Sequence, residues 1–203
     1  MILICGPSGI GKSTFIKNLN YKEKNLLYYL WDKNVDLGKI SYDTVIHIDL
    51  TCFYWDMAKQ KKYQKKLLNL LNIAKIYILY ACQSTILIRK YKRYRQIYKN
   101  KRYNKYHEKS YIKKIYSYFI NMIPKENYKN IKLINVNMIP KENYKNIKLI
   151  NNFKNLSFEE KYRNIYKNKI EVFNLEKLMS FVEQYNINDD DEIQKLIKKD
   201  LQY

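Results

Sequence analysis

Glycine is concentrated in one short stretch near the start of this chain. Only four glycines occur among its 203 residues, and three of them lie in GPSGIGKST, residues 6–14, here called the glycine loop. The stretch follows MILIC, an apolar run that predicts a short buried strand, and leads into KSTFIKNLN, which predicts a helix. Strand, glycine-rich loop and helix in that order form the framework in which a backbone can wrap around a phosphate group.

The glycine loop also fits the pattern G-x-x-x-x-G-K-S/T. In this pattern small residues let several backbone N–H groups donate to one phosphate, and the start of the following helix adds positive potential. The lysine, Lys12, is expected to reach the β- and γ-phosphates, and the Ser13 hydroxyl is expected to bind Mg²⁺. The pattern therefore predicts ATP and Mg²⁺ as cofactors. The predicted nucleotide-binding residues are Gly6, Ser8, Gly9, Ile10, Gly11, Lys12, Ser13 and Thr14.

A carboxylate at the end of a later strand is the second candidate part of the site. The run DTVIHIDL, residues 43–50, is apolar and β-branched and predicts a central parallel strand. Asp49 near its end is expected either to orient Mg²⁺ through water or to accept the proton of an attacking hydroxyl. Asp49 is therefore a candidate for both catalysis and metal binding.

The remaining segments predict an α/β fold. A helical pattern precedes a third apolar strand at residues 75–81, and strand, helix, strand implies a right-handed crossover in a parallel sheet. The basic, tyrosine-rich segment 84–123 predicts helices in two or more pieces. A last strand is predicted at 169–174, an amphipathic helix after it, and a final helix after Asp189. We expect a three-layer sandwich in which helices flank a parallel sheet.

One segment is duplicated without change. NMIPKENYKNIKLIN occupies residues 121–135 and again 137–151. Two copies are too few, and each is too short, for a solenoid, so a recent tandem duplication tolerated at the surface is the favoured interpretation. We expect a single domain over residues 1–203, with one copy forming a peripheral insert around 121–151.

Arginine is rare and clustered. The chain has five arginines, and four of them lie between residues 89 and 102. Arginine offers planar, bidentate donors to phosphate oxygens, whereas lysine is a mobile point charge. The candidates for covering the transferred phosphoryl group are Arg89, Arg93 and Arg95; the alternative is a solvated basic helix face.

These segments together resemble the P-loop kinases of the nucleoside and nucleotide kinase-like group. The likeness covers the glycine loop, the strand ending in Asp49, and IYILYACQSTILIRKYKRYR, which is similar to the family's strand and arginine-rich helix beside the lid. The ending IEVFNLEKLMSF is similar to the family's last strand, base-side loop and terminal helix. The resemblance implies a P-loop sandwich and phosphoryl transfer from ATP. No acceptor-binding signature accompanies it.

Charge and cysteine content bear on partners and compartment. The formal net charge of +20 attracts polyanions, but the abundance of Lys, Asn, Ile and Tyr also fits a bias toward A/T-rich codons. The three cysteines form no C-x-x-C pair, which favours a reducing, cytoplasmic setting. No apolar run reaches the length of a membrane span.

Three functional hypotheses follow. The leading one is a Mg-ATP-dependent kinase that acts on a small hydroxyl- or phosphate-bearing acceptor. The second is a polynucleotide 5′-kinase or another nucleic-acid-directed enzyme that uses the Tyr/Lys/Arg segment 89–118 as a binding surface. The third is a nucleotide-binding module without turnover.

Overall fold

One sheet and the helices around it make up the described part of the chain. The computed structural model describes residues 1–18, 22–25, 44–57, 64–97, 105–136 and 170–183. The strands are β1 (Ile2–Gly6), β2 (Lys22–Asn25), β3 (Thr44–Asp49), β4 (Lys75–Tyr80), β5 (Ile131–Asn135) and β6 (Ile170–Val172). The α-helices are α1 (Lys12–Asn18), α2 (Leu50–Met57), α3 (Gln64–Ile73), α4 (Gln83–Ile97), α5 (Lys105–Asn121) and α6 (Leu175–Glu183). A 3₁₀ helix, Lys125–Asn130, precedes β5.

The strands form a mainly parallel sheet. Their order is β2-β3-β1-β4-β5-β6, and each neighbouring pair is parallel except β5 with β6. Strands β1, β3 and β4 are mostly apolar and mostly buried, as expected for parallel strands that pair with neighbours at both edges and have both faces covered. The predicted α/β class and the parallel pairing of β1, β3 and β4 are confirmed.

The connections of this sheet run in two directions from β1. The connection that leaves β1 runs through α1 to the β2 side, and the connection that leaves β4 runs through α4 and α5 to β5 on the other side. Because crossovers between parallel strands are generally right-handed, connections that run in opposite directions favour opposite faces of the sheet, and the three-layer arrangement stays a prediction. The carboxyl ends of β1 and β4 therefore flank a topological switch point, where ligands bind in open α/β sheets.

The last strand, β6, runs antiparallel to the rest of the sheet, which does not agree with the resemblance to the kinase family. Val172 of β6 pairs with Lys132 in an antiparallel register, so Phe173 and Asn174 lie at the edge opposite to Gly6 and Asp49. The interpretation of this ending as a base-side loop is therefore wrong. The Asn174 side chain caps α6 instead, accepting a hydrogen bond from the Lys177 N–H at 2.8 Å.

The first copy of the repeat is part of the core. It contributes the end of α5, the 3₁₀ helix after Pro124 and all of β5, in which Ile131, Leu133 and Ile134 are buried. The second copy, residues 137–151, lies outside the described residues, as does the helix predicted after Asp189. The expectation that one copy is peripheral stays a prediction.

Helix α5 joins the two halves of the core. The Phe119 ring meets Phe53 of α2 edge to face at 5.6 Å between centroids, and the Tyr116 hydroxyl donates to Leu79 O of β4 at 2.8 Å. Burial raises the pKa of Tyr116 well above its ordinary value, so this hydroxyl stays a donor in alkaline as well as in neutral solution. Within the described ranges, no helix combines the length and apolar character that crossing a membrane requires.

Candidate functional site

The glycine loop has a backbone that its glycines make possible. Gly9 has φ +81° and Gly11 has φ +102°, both in the left-handed region that L side chains adopt poorly. Between them Ile10 is buried, and its N–H donates to Pro7 O at 3.3 Å, which closes a turn. The Phe15 N–H then donates to Gly11 O as α1 begins. The local sequence therefore determines the shape of this loop.

Lys12 is buried within the loop. Its Nζ donates to Gly6 O and to Pro7 O, both at 2.9 Å, and lies 3.3 Å from Asp49 Oδ2. Only 6% of the side chain is exposed. A buried ammonium group requires such acceptors, because without them its desolvation is unfavourable. Lys12 is thus held by two carbonyls of the loop and one carboxylate from another strand.

The sheet register brings Asp49 to this position. Gly6 and Asp49 are direct partners at the carboxyl ends of β1 and β3. Oδ1 of Asp49 accepts the Thr51 N–H at 3.0 Å, the bond by which an N-cap residue satisfies the start of a helix, here α2. Oδ2 of the same carboxylate faces Lys12. One aspartate therefore both caps α2 and pairs with the loop lysine.

Thr51 is a site residue that the sequence reasoning missed. Its Oγ1 accepts the backbone N–H of Ser8 at 3.1 Å, across 43 positions of the chain. The amide of Ser8 is therefore bonded to α2 in this structure, although Ser8 was predicted to help bind nucleotide. An acidic residue that ends a strand and precedes a helix is an N-cap signal, which could have predicted that a helix begins after Asp49, but the contact of Thr51 with the loop depends on the fold.

The middle of α4 lies against the loop. Arg89 Nη1 donates to Ile10 O at 3.1 Å, so this guanidinium contacts the loop backbone directly. A Cβ added at Gly9 would lie 3.0 Å from Cγ of Lys90, which shows how closely the helix approaches. Arg93, one turn further along, is exposed. Arg95 belongs to the same helix, and its side chain is outside the part that the structure describes.

Two oxygen-bearing side chains suit a magnesium ion here. Ser13 follows Lys12 in the first turn of α1 and carries a hydroxyl, and both Ser13 and Thr14 are exposed. Asp49 contributes a carboxylate. Hydroxyl and carboxylate oxygens are ligands that Mg²⁺ prefers, usually with phosphate oxygens and water. Among the described residues no group of three or more His, Cys, Asp or Glu forms a metal cage. Ser13 and Asp49 are thus two described side chains that could contribute oxygen ligands to such an ion.

The thiol next to the loop is not a nucleophile. Cys5 lies in β1 immediately before Gly6 and is completely buried. Burial raises the pKa of the Cys5 thiol far above its ordinary value, and the nearby positive charge of Lys12 offsets only part of that rise. Because the thiolate is the reactive form, Cys5 is inert at neutral pH and acts as a small apolar core residue.

Comparison with known proteins adds no relative. No family model, curated protein or solved structure matches the chain. The contacts among the glycine loop, Asp49, Thr51 and Arg89 are therefore the observations that bear on function.

Proposed function

We propose that this chain is a P-loop kinase that transfers the γ-phosphoryl group of ATP to a small hydroxyl- or phosphate-bearing acceptor. The observation that carries the proposal is the position of Lys12, whose Nζ lies among Gly6 O, Pro7 O and Asp49 Oδ2. A glycine loop, a buried ammonium and a carboxylate then meet beside the switch point of the sheet.

The loop supplies the phosphate-binding groups of this proposal. Positive φ angles at Gly9 and Gly11 are typical of loops whose successive N–H groups turn toward one anion. The amides of residues 9 and 11–14 are the expected donors, since the Ser8 N–H is bonded to Thr51 and the Ile10 N–H to Pro7 O. Lys12 adds the positive charge that stabilises the β- and γ-phosphate oxygens as negative charge develops there.

Asp49 balances that charge when the site holds no nucleotide. Its Oδ2 is 3.3 Å from Lys12 Nζ, so a phosphate oxygen that approaches Lys12 competes with the carboxylate. Ser13 and Asp49 are the residues that would hold Mg²⁺ in this proposal. When bound, the ion would neutralise phosphate charge and orient the γ-phosphoryl group. Asp49 would orient such an ion through water or accept the proton of the acceptor hydroxyl.

The arginines of α4 have different parts in the proposal. Arg89 reaches the loop through Ile10 O, so it supports the loop that cradles the phosphates. Arg93 is exposed on the same helix and remains a candidate for contact with the transferred group or the acceptor. Catalysis of this kind is mainly positioning and electrostatic stabilisation.

A transfer screen tests the proposal. Purified protein is incubated with Mg²⁺ and γ-labelled ATP, and with nucleosides, nucleotides, sugars or 5′-hydroxyl oligonucleotides as acceptors. We expect a small-molecule acceptor to be labelled, and the Lys12→Ala variant to lose that labelling. Labelling of oligonucleotides alone, with binding that weakens steeply as salt rises, would instead support the nucleic-acid-directed enzyme.

The same screen separates turnover from binding. A protein that binds Mg-ATP, yet transfers nothing above the Lys12→Ala background to any acceptor and does not hydrolyse ATP, would be a nucleotide-binding module. That result would contradict the kinase proposal. It would leave the assignment of the glycine loop as a nucleotide site intact.

A further inference from the structure

We infer that Thr51 is a positioning residue that holds the phosphate-binding loop and the metal-binding carboxylate in register. The inference rests on the proposed function and deepens it. Its basis is that one residue contacts both halves of the site: the side chain of Thr51 contacts Ser8 of the loop, and its backbone contacts Asp49.

The two contacts of Thr51 have different origins. Its N–H donates to Asp49 Oδ1 at 3.0 Å, and this bond is local because it caps α2. Its Oγ1 accepts from Ser8 N at 3.1 Å, and this bond is long-range because 43 positions separate the two residues. A threonine in the first helical turn needs no partner in a distant loop for the helix to begin. The second contact therefore indicates a role in the site.

The carboxylate geometry shows what this link controls. With Oδ1 of Asp49 fixed by the Thr51 backbone, Oδ2 is directed toward Lys12 at 3.3 Å. The Thr51 hydroxyl then fixes where the loop that carries Lys12 begins relative to the same helical turn. Loss of the hydroxyl leaves the bond to Asp49 in place and removes the bond to the loop. Removing the Thr51 hydroxyl therefore changes the spacing between the loop and Asp49 without removing the contacts within the loop or the bond that caps α2.

The quantity that reports this register is the factor by which Mg²⁺ strengthens ATP binding. Phosphates that bind the loop and an ion that binds Asp49 support each other only while the two groups are correctly spaced. Replacing Thr51 with valine removes one hydrogen bond and leaves the Ser8 N–H without this acceptor. We expect the magnesium factor to fall roughly three- to tenfold, the size expected for one neutral hydrogen bond.

Calorimetry of ATP binding with and without Mg²⁺ tests the inference in the full chain. Thr51→Val and Thr51→Ala lack the hydroxyl and should reduce the magnesium factor, whereas Thr51→Ser keeps the hydroxyl and should restore it. In an Asp49→Asn background, Thr51→Val should have little further effect on the factor, because no carboxylate remains with which the loop must be in register.

The outcomes distinguish three situations. A reduced magnesium factor in both hydroxyl-free variants, with rescue by serine, supports the inference. An unchanged factor in Thr51→Val or Thr51→Ala, even with a lower melting temperature, means that Thr51 is only structural and overturns it. If the wild-type protein binds no ATP with or without Mg²⁺, the proposed function fails and the inference fails with it.

Discussion

The glycine loop with the end of β3, and the pair formed by α5 and β5, are held together in different ways. Around the loop, directional polar bonds connect Lys12, Asp49 and Thr51; Lys12 is buried, while Asp49 and Thr51 keep some exposure. In α5 and β5 the contacts are mainly apolar, and Phe119 and Leu133 are completely buried. The first region therefore contains the candidate chemistry, and the second contributes stability.

This difference predicts opposite effects of substitution. A change around the loop removes a few bonds from a partly exposed site, so it should alter ligand binding more than the free energy of unfolding. A change between α5 and β5 removes or disrupts close packing, so it should alter the free energy of unfolding more than ligand binding. The predictions below test that separation from the largest expected effect to the smallest.

Leu133→Asp is expected to have the largest effect. Leu133 lies in an interior strand with no exposed surface, and a carboxylate there has no partner in the apolar core around it. We expect a loss of roughly 3–5 kcal/mol or more in the free energy of unfolding, measured by denaturant titration. A loss below about 1 kcal/mol would mean that β5, which the first copy of the repeat supplies, is not part of the stable core.

The second copy of the repeat supplies a control in identical sequence context. Leu149 occupies in residues 137–151 the position that Leu133 occupies in residues 121–135. If one copy is peripheral, as the sequence predicts, Leu149→Asp should change the free energy of unfolding by less than about 0.5 kcal/mol. Equal destabilisation by both substitutions would show that both copies contribute to the core.

Gly9→Ala should have an intermediate effect that is concentrated on ligand binding. At Gly9 a Cβ would combine φ +81° with a contact of 3.0 Å to the Lys90 side chain, whereas at Gly11 it would meet φ +102° but no atom within 4 Å. We expect Gly9→Ala to introduce about 1–3 kcal/mol of strain, part of which lowers the free energy of unfolding and part of which weakens nucleotide binding. Gly11→Ala introduces only the backbone strain of a positive φ, without a contact to α4. The difference between Gly9→Ala and Gly11→Ala in melting temperature and in nucleotide affinity therefore measures the effect of the contact between α4 and the loop.

Tyr116→Phe should have the smallest effect, and one that depends on pH. The variant loses the hydrogen bond to Leu79 O, worth about 1 kcal/mol at neutral pH. The pKa of Tyr116 is raised in the folded protein, so only the unfolded chain loses this proton as the pH passes 10.0, and stability falls. Cys5 acts with the same sign above pH 9.0. Denaturant titrations from pH 8 to 11 should therefore show a shallower decline in Tyr116→Phe than in the wild type, and parallel declines would contradict this account.

The sequence predicted well those parts of the molecule that depend on local patterns. The glycine loop could be recognised because Gly9, Gly11 and Lys12 lie within a few residues, between a strand and a helix. Strand β3 could be recognised because a mostly apolar, β-branched run ends in Asp49. In both cases the residues that determine the structure are neighbours in the chain, so their spacing carries the information.

Features that depend on distant residues were not predictable in the same way. The antiparallel direction of β6, only three residues long, depends on its register with β5 and leaves no mark in IEV. Strand β5 lies within a repeat that is identical in both copies, so the sequence alone cannot distinguish them. The bonds from Arg89 to Ile10 and from Thr51 to Ser8 span 79 and 43 positions and arise only from the fold.

The central claim is that the glycine loop binds Mg-ATP through Lys12, and calorimetry of Lys12→Ala tests it most directly. The matched control is Lys17→Ala, which removes an exposed lysine from the same helix, and melting curves confirm that both variants fold. The account predicts that Lys12→Ala weakens Mg-ATP binding roughly 30- to 300-fold, while Lys17→Ala changes it by less than about threefold. Unchanged Mg-ATP affinity in a folded Lys12→Ala protein would contradict the account.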